Sequence, residues 1–387
     1  MHIGFLTPEY PHSQSTPSGG LGTSIKNLAS SLIQKKIKVS VFVYGQKQDL
    51  KFEENGISFC FIKQRKYSFM GWYRYRKYLQ KVLNSQIEKD KIEILEAPDW
   101  TGITAFMKFS CPLDIRMHGT DAYFCNLEER KQKYKNYLFE KSALKSADAL
   151  VSVSAFTAEK TKEIFELDRP VKIIPNSIDT AQFLPSEKSP IKNRLLYFGT
   201  VIRKKGVLEL AIIFNEVVLN NPKTELWLIG KDVVDIFEKR STLEIFRETL
   251  SPLAKEQLKY FPEVSYSEIK EHIAEAAVIV LPSFAEALPM TWLEAMAMEK
   301  ALVTSNIGWA KEVMIDGKTG YTEDPKNHKA YAEKILHLLN NPEEAKSMGK
   351  AARQQVLKKF STEVVVQQNI SFYKELVIAR AKPHAIS

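Results

Sequence analysis

Glu286 and Glu294, eight positions apart, are the residues of this chain best placed to do chemistry. They stand in Pro282-Ser-Phe-Ala-Glu286-Ala-Leu-Pro-Met-Thr-Trp-Leu-Glu294-Ala-Met-Ala. The preceding run, Ala276 to Leu281, is short, apolar and ended by Pro and Ser, which predicts a buried strand. A helix-forming run begins after Pro289. Glu286 therefore falls in a strand-to-helix loop and Glu294 inside the helix. Eight positions is slightly over two helical turns, so both carboxylates can face one crevice at the strand's carboxyl end, where open α/β sheets bind ligands.

Cations stand in a matching place. Gly199-Thr200-Val-Ile-Arg203-Lys204-Lys205-Gly206 follows another short apolar run and opens a helical stretch, Val207–Leu219. Exposed N–H groups, a helix N-terminus and basic side chains converge there, which suits a phosphate. The same residues also read as a solvated basic turn, and they match neither a P-loop nor a dinucleotide fingerprint. Ser18-Gly19-Gly20-Leu21-Gly22 follows the first strand, where glycines let the backbone approach a ligand. His118, in Arg116-Met-His-Gly-Thr-Asp121, ends a further strand; it suits either a site or an interior. Glu96 and Asp99 lie at another strand end, and Asn176-Ser-Ile-Asp179 at yet another, where it also reads as a turn.

The elements that must hold these residues alternate between strand and helix. Predicted strands are Ile3–Thr7, Val39–Tyr44, Ile57–Ile62, Ile92–Glu96, Asp114–His118, Ala149–Ser152 and Val171–Ile174. Helices Gly22–Lys35, Gly71–Lys89 and Leu127–Ser146 fall between them. After the polar, proline-bounded stretch Pro185–Pro190 the rhythm restarts with Leu195–Gly199, Glu225–Gly230, Val278–Leu281, Leu302–Ser305 and Gly320–Thr322. Tyr331–Leu339 and Ala345–Val377 read as helical. Repeated βα units predict parallel sheets covered on both faces. Two such halves in 387 residues predict an α/β chain of two doubly wound, Rossmann-like domains facing each other across a cleft. The expected boundaries are 1–187, 188–365, and a C-terminal helix in 366–387 packing back on the first domain.

Composition narrows the function classes. At 44% hydrophobic and 26% charged the chain is ordinary globular protein, with no run approaching a membrane span. Its N-terminus lacks the basic region and cleavage site of a signal peptide, and Cys60, Cys111 and Cys125 lack metal-like spacing. A cytoplasmic protein with reduced thiols is expected. The seven histidines show no paired spacing, so no metal site is expected. Net charge is +9, and residues 1–187 carry 27 Lys and Arg against 21 Asp and Glu. That places most of the excess, and any anionic partner, on the first half.

Together these motifs resemble the retaining glycosyltransferase family 4, of GT-B fold. The resemblance spans nearly the whole chain and is strongest from Leu195 to Tyr321. It is carried by the Gly199-to-Lys205-Gly206 spacing, Glu225-Leu-Trp-Leu-Ile-Gly230, Leu281-Pro-Ser, the Glu-x7-Glu pair and Glu312…Asp316-Gly-Lys-Thr-Gly320. Looser matches are Gly19-Gly20, Glu96-x-x-Asp99, His118-Gly, Ser152–Ser154 and Asn176-x-Ile-Asp179. The resemblance implies that Lys205 contacts the donor diphosphate, Glu294 the nucleotide ribose and Glu286 the transferred sugar. Gly20, Gly199 and Thr200 join the donor side, as do the backbone of Ala287, Leu288, Pro289 and Met290. It sets His118 beside the sugar; Glu96, Asp99 and Asp121 are expected at the acceptor or elsewhere in the cleft. The family usually has Arg after the glycine matching Gly199, where this chain has Thr200; Arg203 is expected to supply that cation. His118, Arg203, Lys205 and Glu286 would then form the catalytic set. The resemblance further implies a nucleoside-diphosphate sugar as co-substrate, no metal or other cofactor, retention of anomeric configuration and a glycan or lipid-linked acceptor.

Residues 63–81 hold seven basic residues, six aromatics and no acid. On a helix, Trp72, Tyr75, Leu79, Val82 and Leu83 share one stripe, opposite Arg74, Lys77 and Lys81. This is either an amphipathic helix with a solvated basic face or a contact with anionic lipid, at the inner face of the cell membrane, or with a lipid-linked, phosphate-bearing acceptor. Arg130-Lys-Gln-Lys-Tyr-Lys135 points the same way, although acids neighbour it. Nucleic acid is a poorer partner, because no recognised module is present. Two other functions remain open: a sugar-nucleotide 2-epimerase, and a silent nucleotide-sugar-binding partner suggested by Thr200.

Overall fold

A computed structural model describes residues 1–16 and 18–381. Pro17 and residues 382–387, the last part of the expected segment 366–387, lie outside the described residues. The chain forms two compact units, Met1–Ser177 together with the stretch from Thr362 onward, and Ile178–Ser361.

Unit 1 contains β1 (His2–Thr7), β2 (Lys38–Gln46), β3 (Leu50–Glu54), β4 (Ile57–Lys63), β5 (Ile94–Pro98), β6 (Leu113–Met117), β7 (Ala149–Ser152) and β8 (Lys172–Ile173). They form one sheet in the order β3-β4-β2-β1-β5-β6-β7-β8. All neighbours run parallel except β3 and β4. That antiparallel hairpin turns at Asn55-Gly56, both with positive φ, a standard two-residue turn signal. Helices α1 (Gly20–Gln34), α2 (Gly71–Asp90), α3 (Asp121–Leu127), α4 (Tyr134–Ser146) and α5 (Ala155–Phe165) connect the strands. Strand alternation divides the core. Ile3, Phe5, Val39 and Val41 pack with Leu28 and Leu32, whereas Leu6, Phe42 and Leu95 pack with Leu79 and Leu83 of α2.

Unit 2 contains β9 (Arg194–Phe198), β10 (Glu225–Ile229), β11 (Leu258–Phe261), β12 (Val278–Leu281), β13 (Leu302–Ser305) and β14 (Tyr321–Glu323), all parallel, in the order β11-β10-β9-β12-β13-β14. Its helices are α6 (Val207–Asn220), α7 (Thr242–Thr249), α8 (Pro252–Glu256), α9 (Tyr266–Glu275), α10 (Met290–Ala297), α11 (Ala310–Val313), α12 (His328–Asn340) and α13 (Pro342–Lys359). Helix α14 (Thr362–Ala381) returns to unit 1, where Val365, Val366 and Tyr373 join the α1-side core.

The boundaries differ from the linker expectation. Pro185–Pro190 does not part the units; the chain crosses at 177/178 and again at 361/362. The reason is anchoring of the intervening residues into unit 2. Ile178 N–H donates to the Phe360 carbonyl (2.8 Å), and buried Phe183 offers its carbonyl to Arg353 (3.0 Å). Predicted helix Leu127–Ser146 begins only at Tyr134, because α3 ends at Leu127 and Glu129 takes a positive φ, while Ala345–Val377 is two helices that break between α13 and α14. No described helix is long and apolar enough to cross a membrane.

Candidate active site

Strands β9 and β12 lie side by side in unit 2, yet the chain leaves them toward opposite edges of the sheet. Their carboxyl ends therefore flank a switch point, the place where such sheets leave a crevice. The loop after β9 carries Gly199 to Gly206, and the loop after β12 carries Pro282 to Pro289. Phe284 N–H donates to the Lys204 carbonyl (2.8 Å), fastening one loop to the other. Gly206 makes that approach possible. Its φ is +70°, and a Cβ there would lie 1.9 Å from the Pro282 carbonyl oxygen.

The docked loops bring Lys205 Nζ against Glu286 Oε1 in an ion pair. Both are largely withdrawn from water, with side chains 21% and 12% exposed. Glu294, in α10, is buried, and no described residue hydrogen-bonds its side chain. Burial pushes its carboxyl up to about 8, against the opposing Lys205 charge. At neutral pH it is mostly the neutral acid, able to donate as well as accept a hydrogen bond. Ala287, Leu288 and Pro289 form the buried turn that leads into Met290.

Two helix ends complete the arrangement. Ser241, Ser251, Ser265 and Asn327 cap α7, α8, α9 and α12 with their side chains. Helices α6 and α10, which begin at the switch point, have no side-chain cap; Gly206 and Pro289 stand there instead. Glu209, in the first turn of α6, bonds its own N–H; the other leading N–H groups of α6 and those of α10 have no side-chain cap and suit an anion.

Arg203 is engaged elsewhere. Its Nε and Nη2 donate to the two carboxylate oxygens of Asp235 (2.7 and 3.1 Å), and Nη2 also reaches Glu238 (3.3 Å). Asp235, whose side chain is fully buried, also accepts from the N–H groups of Phe237 and Glu238. These bonds hold the Lys231–Ser241 loop to the β9 loop. Thr200 is exposed, and its carbonyl accepts from the Tyr197 hydroxyl (2.9 Å).

In unit 1, His118 follows β6. Its N–H donates to Asp99 (3.0 Å), as does that of Gly119 (3.2 Å). Beneath it Arg116 grips Glu96 with two bonds (2.7 and 2.8 Å). From α14, the Tyr373 hydroxyl donates to Glu96 (2.6 Å) and Asn369 accepts from Arg116 (2.5 Å). Burial, reinforced by the Arg116 charge and opposed by Glu96, drives the His118 imidazole down to about 3, so it stays neutral. Burial also lifts Asp99 to about 8. His118, Glu96 and Arg116 line a small cavity with Ser24, Asn176 and Asn369, closed by Ile25, Leu28 and Val365.

Known proteins give the same pattern. The family model described as Glycosyltransferase Family 4 matches residues 18–182, and that for Glycosyl transferases group 1 matches residues 180–355. The chain belongs to glycosyltransferase family 4. It is 28% identical over 263 residues to an alpha-maltose-1-phosphate synthase of Mycolicibacterium smegmatis, an alignment covering 61% of this chain and 65% of that protein. Its fold is that of GT-B glycosyltransferases. Sucrose-phosphate synthase from Thermosynechococcus elongatus superposes with a TM-score of 0.80 at 17% identity, covering 98% and 99% of the two chains. Anabaena HepE, solved in complex with UDP and glucose, superposes at 0.74 with 16% identity, covering 97% and 100%.

Within this glycosyltransferase, the structure brings together Lys205, Glu286, Glu294 and the turn from Ala287 to Met290. Arg203, expected to replace the family arginine, is tied to Asp235 through Nε and Nη2, while its Nη1 makes no hydrogen bond among the described residues. The acceptor-or-cleft reading of Asp99 is corrected: the side chain is wholly buried and shapes the His118 turn. Glu96 is locked to Arg116, and Asp121 is tied to Arg130 (3.3 Å) and Asn136 (3.1 Å). Gly20 opens α1 and is exposed, with the neighbouring Gly19 amide donating to Glu9 (2.9 Å). Sequence reasoning missed Asp235, Glu9 and Glu140, whose carboxylate accepts from the N–H groups of Thr101, Asp121 and Ala122. The Thr-Pro-Glu9 strand end ahead of the glycines was a usable signal; Asp235 and Glu140 had none.

Proposed function

We propose that this protein transfers a hexose-type sugar from a nucleoside-diphosphate sugar to a glycan or lipid-linked acceptor in cell-surface polysaccharide synthesis, with retention. The observation that carries the reading is the switch point of unit 2, where the Lys205–Glu286 pair meets two uncapped helix N-termini. Charge builds on the departing diphosphate in such a reaction, so fixed donors are needed there more than a strong base. Lys205 and the ends of α6 and α10 supply them without a metal. Glu294, neutral and buried, can exchange hydrogen bonds with a ribose, while Glu286 turns from Lys205 to sugar hydroxyls. UDP in the HepE structure supports a nucleoside diphosphate as the leaving group.

Neither glutamate serves as nucleophile in this scheme. The acceptor attacks the face that the diphosphate leaves, and the diphosphate oxygen takes the acceptor's proton. His118, held neutral, offers a hydrogen-bonding group rather than a cation. Release of nucleoside diphosphate, measured with and without a glycan acceptor, tests the proposal. Acceptor-dependent release supports transfer. Donor isomerised without acceptor points to the epimerase, and donor bound but never consumed points to a silent partner. The product anomer, read by NMR, tests retention.

A further inference from the structure

The basic segment 63–81 exposes something other than its helical stripe. Tyr75, Leu79 and Leu83 face the core, and Arg76 is buried, donating to the carbonyls of Thr101 (3.3 Å) and Gly102 (3.1 Å). Arg65 pairs with Asp49 (3.5 Å). What reaches solvent is the tip before α2, where Phe69 is 70% and Met70 42% exposed. Two other segments of unit 1 add to it, Phe106 at 42% and Tyr134 at 73% exposed.

The start of α2, Phe106 and Lys135 adjoin. The Trp72 ring lies 5.9 Å from Phe106, and Tyr73 lies 6.4 Å from it. The Lys135 ammonium, next in sequence to Tyr134, stands 5.3 Å over Trp72. Lys77 donates to the Phe106 carbonyl, and the Arg74 guanidinium lies 4.9 Å over Tyr67. Met70 and Phe106 hold positive φ angles of 46° and 64°, a strained conformation for residues with side chains. Lys66, Arg74 and Lys135 are exposed and have no carboxylate partner among the described residues. Burying apolar tips in water-poor surroundings while basic groups stay at the rim suits the headgroup layer of an anionic bilayer. A soluble polyanion would use the charges and gain nothing from Met70 or Phe69.

We propose that this face of unit 1 docks on an anionic lipid surface, with Phe69, Met70, Phe106 and Tyr134 entering the headgroup region and Lys66, Arg74, Lys77 and Lys135 meeting lipid phosphates. The inference deepens, and rests on, the reading of a lipid-linked acceptor. It is tested by co-sedimenting the full chain with phosphatidylcholine vesicles, with and without phosphatidylglycerol. Binding is expected only to the anionic vesicles. The triple variant Lys66→Gln/Arg74→Gln/Lys135→Gln should weaken it about 100-fold, at about fivefold per charge. Phe69→Ser/Tyr134→Ser should weaken it at least about tenfold, with melting temperature unchanged. The proposal is overturned if the wild-type chain ignores anionic lipid, or if either variant binds like wild type. It is also overturned if inorganic polyphosphate competes fully and the Phe69/Tyr134 variant is indifferent. Thermal shifts with nucleoside diphosphates, read without vesicles, keep the donor reading separate. A retained shift with no vesicle binding ends only the docking proposal, and vesicle binding without any shift removes its link to transfer.

Discussion

Glu294→Gln should make the protein more stable while weakening its hold on donor, and the stabilisation should depend on pH in a calculable way. The carboxyl has a folded-state value near 8 against an ordinary 4.5, because burial disfavours its charged form. The folded protein therefore holds this proton more tightly than the unfolded chain does. The stability this contributes is complete below about pH 4.5 and is lost as pH rises through about 8. At pH 7 the unfolded carboxyl gains an ionisation that the folded one is denied. At about 1.36 kcal/mol per pH unit, that amounts to about 3 kcal/mol relative to acid conditions. Glutamine cannot ionise and escapes the penalty. For a unit of this size, a gain of about 6–12 °C in melting temperature is expected at pH 7, shrinking toward zero near pH 4.5. Thermal unfolding from pH 4.5 to 8.5, followed by tryptophan fluorescence, reads it directly, since Trp292 and Trp309 are fully buried in unit 2. Asp99 and Glu140 are also raised, so both proteins will slope with pH; the difference between them is diagnostic. A difference that stays flat with pH, or a variant less stable at pH 8, would refute the reasoning. Donor KM should rise about tenfold, consistent with loss of one well-placed hydrogen bond.

Three further outcomes follow from particular contacts. Arg203→Ala should cost stability, about 2 kcal/mol, because it strands the buried Asp235 carboxylate. Arg203→Ala/Asp235→Ala should recover that stability in denaturant titration, and a double variant no more stable than the single one would contradict the pairing. If Arg203 also reaches phosphate, turnover in the double variant stays more than tenfold low; near-normal turnover ends that role. Because His118 is held near 3, the pH–rate profile should show no histidine step between pH 5 and 8, and an inflection near 6.5 abolished by His118→Asn would refute its neutrality. Gly206→Ala should destabilise unit 2 by at least about 3 kcal/mol, from positive φ and collision with Pro282, and a melting temperature within a degree of wild type would show that the loops can part.

Much of the fold was legible because burial leaves a local trace. Val278–Leu281, Leu302–Ser305 and Ala149–Ser152 were bounded correctly from apolar runs closed by breakers, since a strand covered on both faces must be apolar throughout. Strands β3 and β11 were missed. Both lie at a sheet edge, where partial exposure dilutes the pattern, although Asn55-Gly56 announced the hairpin. Helix breaks at Glu129 and at Phe360–Ser361 carry no proline or glycine, so no local residue signalled them.

By itself the sequence determined the two α/β halves, the βα loops that carry Glu286, Glu294 and Lys205, and the family to which they belong. These depend on hydrophobic period and on residue spacing along one strand–loop–helix unit, which are local quantities. Only the tertiary structure decided which charges meet. Lys205 finds Glu286 across 81 positions, Arg203 finds Asp235 across 32, and Glu96 finds Tyr373 across 277. Sheet order and loop contact set those pairings, and they in turn decide protonation. Glu294 and His118 are neutral because the fold withdraws them from water, an effect that no spacing in the chain encodes.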